Sequence, residues 1–173
     1  LDSVAALAAL QQAHAILVAR NDTPGFELAE TRMYLGQAYL QLGRLDEALG
    51  HLRDAHASNL QLYGATNAQT LVVQTALALA SARAGDDGSA TEMLRASRRE
   101  LQGKTELQHV AMAAVIAGRQ IEVALAAGDV GAANDILRSL PRHDTFSPMI
   151  PNRQVLPLAR FETLMQQNAV DEA

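Results

Sequence analysis

The stretch Leu35-Gly36-Gln37-Ala38-Tyr39-Leu40-Gln41-Leu42-Gly43-Arg44-Leu45-Asp46-Glu47-Ala48-Leu49-Gly50-His51-Leu52-Arg53-Asp54-Ala55 decides the fold. Leu35, Tyr39 and Leu42 fall at helical spacing. After a break at Gly43-Arg44 the spacing resumes with Leu45, Ala48, Leu49, Leu52 and Ala55. Two apolar stripes divided by a glycine predict a helical hairpin. Gly43 is placed to take the left-handed conformation that ends the first helix. Asp46 and Glu47 put negative charge in the first turn of the second, where unpaired backbone N–H groups favour it.

Sliding the chain along itself shows that this hairpin recurs. Ala6-Leu7-Ala8-Ala9-Leu10-Gln11-Gln12-Ala13-His14-Ala15 and Ala48-Leu49-Gly50-His51-Leu52-Arg53-Asp54-Ala55-His56-Ala57 agree at six of ten positions, at an offset of 42 residues. The same offset carries Leu35 onto Leu77, Ala38 onto Ala80, Gly43 onto Gly85, Ala48 onto Ala90 and Leu52 onto Leu94. Gly85-Asp86-Asp87-Gly88 and Gly128-Asp129 punctuate the later units as Gly43-Arg44 does the first. A period of this size is the signature of stacked helical units.

The fold class that follows is all-α: a right-handed superhelix of antiparallel helical hairpins, an α-α solenoid of about eight helices. They are predicted near residues 3–20, 25–42, 45–62, 67–84, 88–102, 105–127, 130–140 and 154–168. One domain is expected over residues 1–173, with hairpins at 25–62, 67–102 and 105–140. Residues 1–20 match 45–62 and are therefore expected to be the second helix of a hairpin whose first helix precedes Leu1. The segment Pro141 to Pro157 holds four of the five prolines with Phe146, Met149 and Ile150, so it cannot be a regular helix throughout. It is expected to pack back on the array and seal its end, with a capping helix at 154–168; lying in the groove as a self-ligand is the alternative.

Composition excludes several function classes. The 173 residues carry a net charge of −5, which offers nucleic-acid phosphates no broad attractive field. There is no cysteine, so disulfides, zinc–thiolate sites and thiol nucleophiles are absent. No apolar run approaches the roughly 20 residues that cross a bilayer. Alanine makes up about a fifth of the chain and tryptophan is absent, which suits closely packed helices. Arginine supplies the basic charge, with Lys104 the single lysine. A cytoplasmic setting is expected, or a periplasmic one if a longer parent carries an upstream anchor.

At these positions the chain resembles the tetratricopeptide repeat family, whose pattern has a large residue, then Leu-Gly, Tyr, and later Ala and an aromatic at fixed spacing. The best unit has Leu35-Gly36, Tyr39, Gly43, Ala48, Leu52 and Ala55. The second has Leu77-Ala78, Ser81, Gly85, Ala90 and Leu94. The third has Gln120-Ile121, Ala124, Gly128, Ala133 and Leu137. The period exceeds the usual length of about 34 residues. The run Leu62 to Thr70 resembles the extended connection of the kinesin-light-chain subclass, with longer second helices making up the difference. The resemblance implies a binding scaffold, and in bacteria such arrays are commonly attached to a protein kinase or a winged-helix regulator. It also implies paired asparagines before the Leu-Ala of each first helix. Here those places hold Met33-Tyr34, Thr75-Ala76 and Gly118-Arg119, so the likeness does not extend to an asparagine clamp.

The inner surface of such a superhelix is lined by the first helix of each pair. Glu30, Tyr34, Gln37 and Gln41 in the first unit, Thr75, Leu79 and Arg83 in the second, and Arg119 and Glu122 in the third are the predicted groove residues. Such a groove suits a protein or peptide segment of acidic character. A small-ligand or peptide-signal receptor, and a structural spacer dimerising through the exposed terminal helix, are the alternatives.

No catalytic, metal or cofactor site is expected. His51 and His56 lie on different sides of a helix, no His-Glu-x-x-His occurs, and His14 and His56 are repeat-equivalent, which points to a shared packing role. Asp46-Glu47 and Asp86-Asp87 lie at hairpin turns rather than paired in a cleft. Arg142-His143-Asp144 has the residues of a kinase catalytic loop in the wrong order. Arg95, Arg98 and Arg99, beside Glu92 and Glu100, read as a solvated face.

Overall fold

A computed structural model describes residues 3–20, 25–103 and 107–138. They form seven helices: α1 (Ser3–Ala19), α2 (Phe26–Gln41), α3 (Leu45–Tyr63), α4 (Ala68–Arg83), α5 (Asp87–Glu100), α6 (Leu107–Ala126) and α7 (Val130–Arg138). All are α-helices, and no strand occurs among the described residues. The predicted proline-rich segment, the eighth helix and Arg142-His143-Asp144 lie outside those residues.

Each hairpin is closed by the same device. After α2, the Arg44 amide donates to the Tyr39 carbonyl at 2.9 Å and the Gly43 amide to the Leu40 carbonyl at 3.2 Å. The corresponding pairs are Asp86 to Ser81 (2.9 Å) with Gly85 to Ala82 (2.9 Å), and Asp129 to Ala124 (2.8 Å) with Gly128 to Leu125 (3.1 Å). This is the Schellman arrangement, and it needs a left-handed residue. Gly43, Gly85 and Gly128 supply it at φ of 73°, 86° and 76°. The next residue starts the following helix. Asp86 and Asp129 cap α5 and α7, accepting from the amides of Ser89 (3.0 Å) and Ala132 (2.9 Å). Arg44 has no capping oxygen; its Nε donates instead to Glu47 at 2.9 Å.

Packing repeats with the sequence. Ala48, Leu52 and Ala55 of α3 are completely buried, and so are their equivalents Ala90, Leu94 and Ser97 of α5. Each buried leucine side chain contributes roughly 1.5–3 kcal/mol. The helices of the first hairpin approach so closely that a Cβ on Gly36 would lie 2.5 Å from Leu52 Cγ. Two principal core clusters result, one around Leu35, Leu52 and Val73, the other around Leu71, Leu94 and Ile116, and Met93 packs against both. A smaller one joins Ile121 to Ala133 at the α6–α7 hairpin. Between hairpins, Asn67 caps α4 by accepting from the Gln69 amide at 2.8 Å, and the Thr70 hydroxyl donates to the Asn59 carbonyl at 3.2 Å. The second helices are not uniformly long: α3 has 19 residues and α5 has 14, so the long period is not explained by second-helix length in both units.

Candidate partner-binding face

The two rows of helices are not equivalent. The backbones of α2 and α4 meet, as do those of α4 and α6, whereas α1, α3, α5 and α7 approach only members of the other row. A stack whose first helices touch and whose second helices stand apart curves toward the first helices. The row α2–α4–α6 is therefore the inner face.

On that face the repeat offset names the lining residues. Glu30, Tyr34, Gln37 and Gln41 of α2 are half-buried or exposed. Shifted by one repeat of 42 residues they become Val72, Ala76, Leu79 and Arg83 of α4. The first three pack partly against the core, and Arg83 is exposed. On α6, 43 residues further on as Gly128 is from Gly85, the corresponding half-buried residues are Val115, Arg119 and Glu122.

One predicted groove residue does not belong here. Thr75 is only 5% exposed, and its hydroxyl donates to the Val72 carbonyl at 2.8 Å. It is the repeat equivalent of Met33, which is 6% exposed in the same core layer. The equivalent of Tyr34 is Ala76, one residue further on. Val72, Ala76 and Val115 are the lining residues that helical spacing alone missed, and the repeat offset finds them.

Charge on the face is committed to specific partners. The Tyr34 hydroxyl donates to the Glu30 carboxylate at 3.4 Å. Arg83 Nη1 donates to the Leu40 carbonyl at 3.3 Å, spanning from α4 to the last turn of α2. Arg119 Nη1 holds Glu122 at 2.6 Å, with both side chains more than a third exposed. The face thus changes character along its length: polar and acidic on α2, apolar with one arginine on α4, ion-paired on α6.

No group of side chains suited to a metal ion occurs among the described residues. Arg95 and Arg99 both bind Glu92, at 3.3 and 2.7 Å, and hold its carboxyl below the ordinary value; this is the solvated face expected from the sequence. A hollow of about 220 Å³ lies against Tyr63, Thr66, Asn67, Leu71, His109 and Met112. It falls short of the roughly 300–1,000 Å³ of ordinary small-molecule sites. No described helix is long and apolar enough to cross a membrane.

Residues 27–99, from α2 almost to the end of α5, match the tetratricopeptide repeat family. Over that span the chain is similar to the repeats of this family. The hairpins superpose on solved repeat structures. One is the nearly identical tetratricopeptide-like repeats of a protein described as a kinesin light chain, from Podosopora anserina, at 20% identity and a TM-score of 0.68. It covers 79% of this chain and 64% of its own. Another is BtubC (BKLC) from P. vanneervenii, at 18% identity and a TM-score of 0.69, covering 86% of this chain and 63% of its own. Identities this low establish the shared solenoid, and this chain spans less than two thirds of either structure's length. No curated protein matches the sequence. Tetratricopeptide repeats generally mediate protein–protein interaction, and the family is typically a scaffold rather than an enzyme.

Proposed function

We propose that this chain binds a segment of a partner protein along the α2–α4–α6 face, as an interaction module of a larger bacterial regulator. The observation that carries the reading is that only first helices meet within their own row, which supports one inner face with graded chemistry. Val72, Ala76 and Leu79 offer an apolar floor. Arg83, exposed at its edge, is placed to receive a carboxylate in addition to the Leu40 carbonyl it already meets. A partner segment presenting an apolar side chain near an acidic one fits both features. Nucleic acid is the poorer occupant for a chain of net charge −5.

The test is selection of peptides from a random displayed library on the purified chain, followed by fluorescence anisotropy of those enriched. Enriched peptides should pair an apolar with an acidic residue. Leu79→Glu and Arg83→Glu should each weaken them by about tenfold or more, the scale of one lost charge-assisted contact. Peptides bound equally well by both variants, at unchanged helical content, would place the binding site elsewhere.

A further inference from the structure

Helix α1 is held differently from every other described helix. It contains no Asp, Glu, Lys or Arg, and His14 is its single titratable side chain. Its backbone meets only α2, and Leu7 is its one described residue buried in the core. Beyond that apolar packing, a ladder of rings joins it to α2 and α3. The His14 ring stands edge-on to His51 of α3, with centroids 5.3 Å apart at 87°. His51 lies flat against Tyr39 of α2 at 5.5 Å and 8°, and the Arg44 guanidinium covers Tyr39 at 4.7 Å. Gln11 of α1 donates to the Tyr39 hydroxyl at 2.8 Å.

This ladder is built for uncharged imidazoles. His14 Nε2 is buried without a hydrogen-bond partner, so a proton added there has no acceptor. The surrounding carboxylates are already engaged: Asp54 of α3 faces Arg32 of α2 at 3.7 Å, and Glu47 of α3 holds Arg44. Charging both rings would set two cations about 5.3 Å apart, with Arg32 beside them.

The geometry points to a pH-operated latch: with His14 and His51 neutral the ring ladder clasps α1 to α2 and α3, and protonation of the two imidazoles releases α1. Both imidazoles are shifted in the direction this requires. Burial pushes His14 down, reinforced by Arg32 and opposed by Asp54. Burial likewise pushes His51 down, reinforced by His14 and Arg32 and opposed by Asp54 and Glu47. A histidine depressed in the docked state contributes its full docking stability above the free imidazole value of 6.5 and loses it as the pH falls through that value. Release uncovers the ring face of His51 and the end of the core cluster that Leu7 completes.

Amide hydrogen exchange, corrected for intrinsic rates, tests the latch at about pH 7.5 and about pH 5.5, either side of imidazole titration. Protection of α1 should fall about tenfold or more on acidification while α4 holds, because about one pH unit below the free imidazole value each ring that must be neutral to dock weakens docking by up to about tenfold. The double variant H14F/H51F keeps aromatic rings but cannot be charged, and its α1 protection should not change with pH. His56, depressed by its own burial, remains in that variant and controls for acid effects unrelated to the ladder. Equal α1 protection at the two pH values in the wild type, or the same fall in the double variant, overturns the latch. Should H14F/H51F fail to protect α4, a proton NMR titration of the wild type decides. Imidazole titration that leaves the α1 amide shifts unmoved rules the latch out, and amide shifts that follow the imidazoles support it.

Discussion

Arg83 Nη1 lies 3.3 Å from the carbonyl oxygen of Leu40, a contact between residues 43 positions apart that joins the last turns of two successive first helices. The geometry uses electrostatics twice. Carbonyls at a helix C-terminus carry partial negative charge, and a guanidinium there is favourably placed. Arg83 also lies in the last turn of its own helix, α4.

Replacing Arg83 by methionine keeps much of the aliphatic stem and removes the donor. The loss should be about 0.5–1.5 kcal/mol, the net value of one hydrogen bond. In a chain of this size that corresponds to a few degrees in melting temperature, at about 2–4 °C per kcal/mol. R83K should recover part of it, because an ammonium can donate to one carbonyl but lacks the planar fork. Thermal denaturation of the three proteins followed by circular dichroism is the measurement.

Gly36 tests the closest helix approach. An alanine is accepted at the equivalent place in the next hairpin, where Ala78 is fully buried. In the first hairpin Leu52 Cγ would lie 2.5 Å from the new carbon and the Ala48 carbonyl oxygen 3.3 Å away. Helix propensity favours replacing glycine by about 0.5–1 kcal/mol, and overpacking opposes it by about 1–3 kcal/mol. For G36V the branched side chain makes overpacking win, with a net loss of about 1–2 kcal/mol. Urea unfolding should show a lower midpoint with little change in slope.

How far the sequence announces this structure depends on the kind of interaction. The hairpins were legible because Gly43 and Gly85 recur with the apolar stripe, and both are local, repeated signals. Thr75 was misassigned because spacing was read within one helix. An error of one residue rotates a side chain by roughly 100° and moves it from groove to core. Comparing Tyr34 with Ala76 across the repeat removes the error. The contact of Arg83 with Leu40 was not legible, since a backbone acceptor has no side-chain signature. Nor was the ring ladder: His14, Tyr39 and His51 come from three helices, and their meeting depends on how those helices pack.

The Asp86 cap should make the second hairpin acid-sensitive. The Ser89 amide, and then the Ser89 side chain, hold the Asp86 carboxyl below its usual value of 3.8, with Arg53 adding to the effect. A carboxyl depressed in the folded state contributes its full stability above the unfolded value and loses it as the pH falls through the folded one. D86A should therefore lower the melting temperature at neutral pH and have progressively less effect as the pH falls below about 3.8. D86N, which still accepts from the amide, should fall between the two and lack the pH dependence. Melting curves from neutral pH down to the acid range distinguish the three.

Leu52 and Leu94 are repeat equivalents, both fully buried, yet they belong to different core clusters joined through Met93. Truncating either to alanine removes the same atoms and leaves the same kind of cavity, at a cost of about 2–5 kcal/mol. In a compact core the two variants would loosen the molecule alike. In a stack where each unit meets only its neighbours, the loss stays near its origin. L94A should therefore raise amide exchange most in α5 and α6, and L52A most in α2 and α3, with α4, which contributes to both clusters, responding to each. The partly buried Met93 touches both clusters, so M93A should weaken the coupling and sharpen this division. Equal exchange across all helices in both single variants would mean that the two clusters unfold as one cooperative unit.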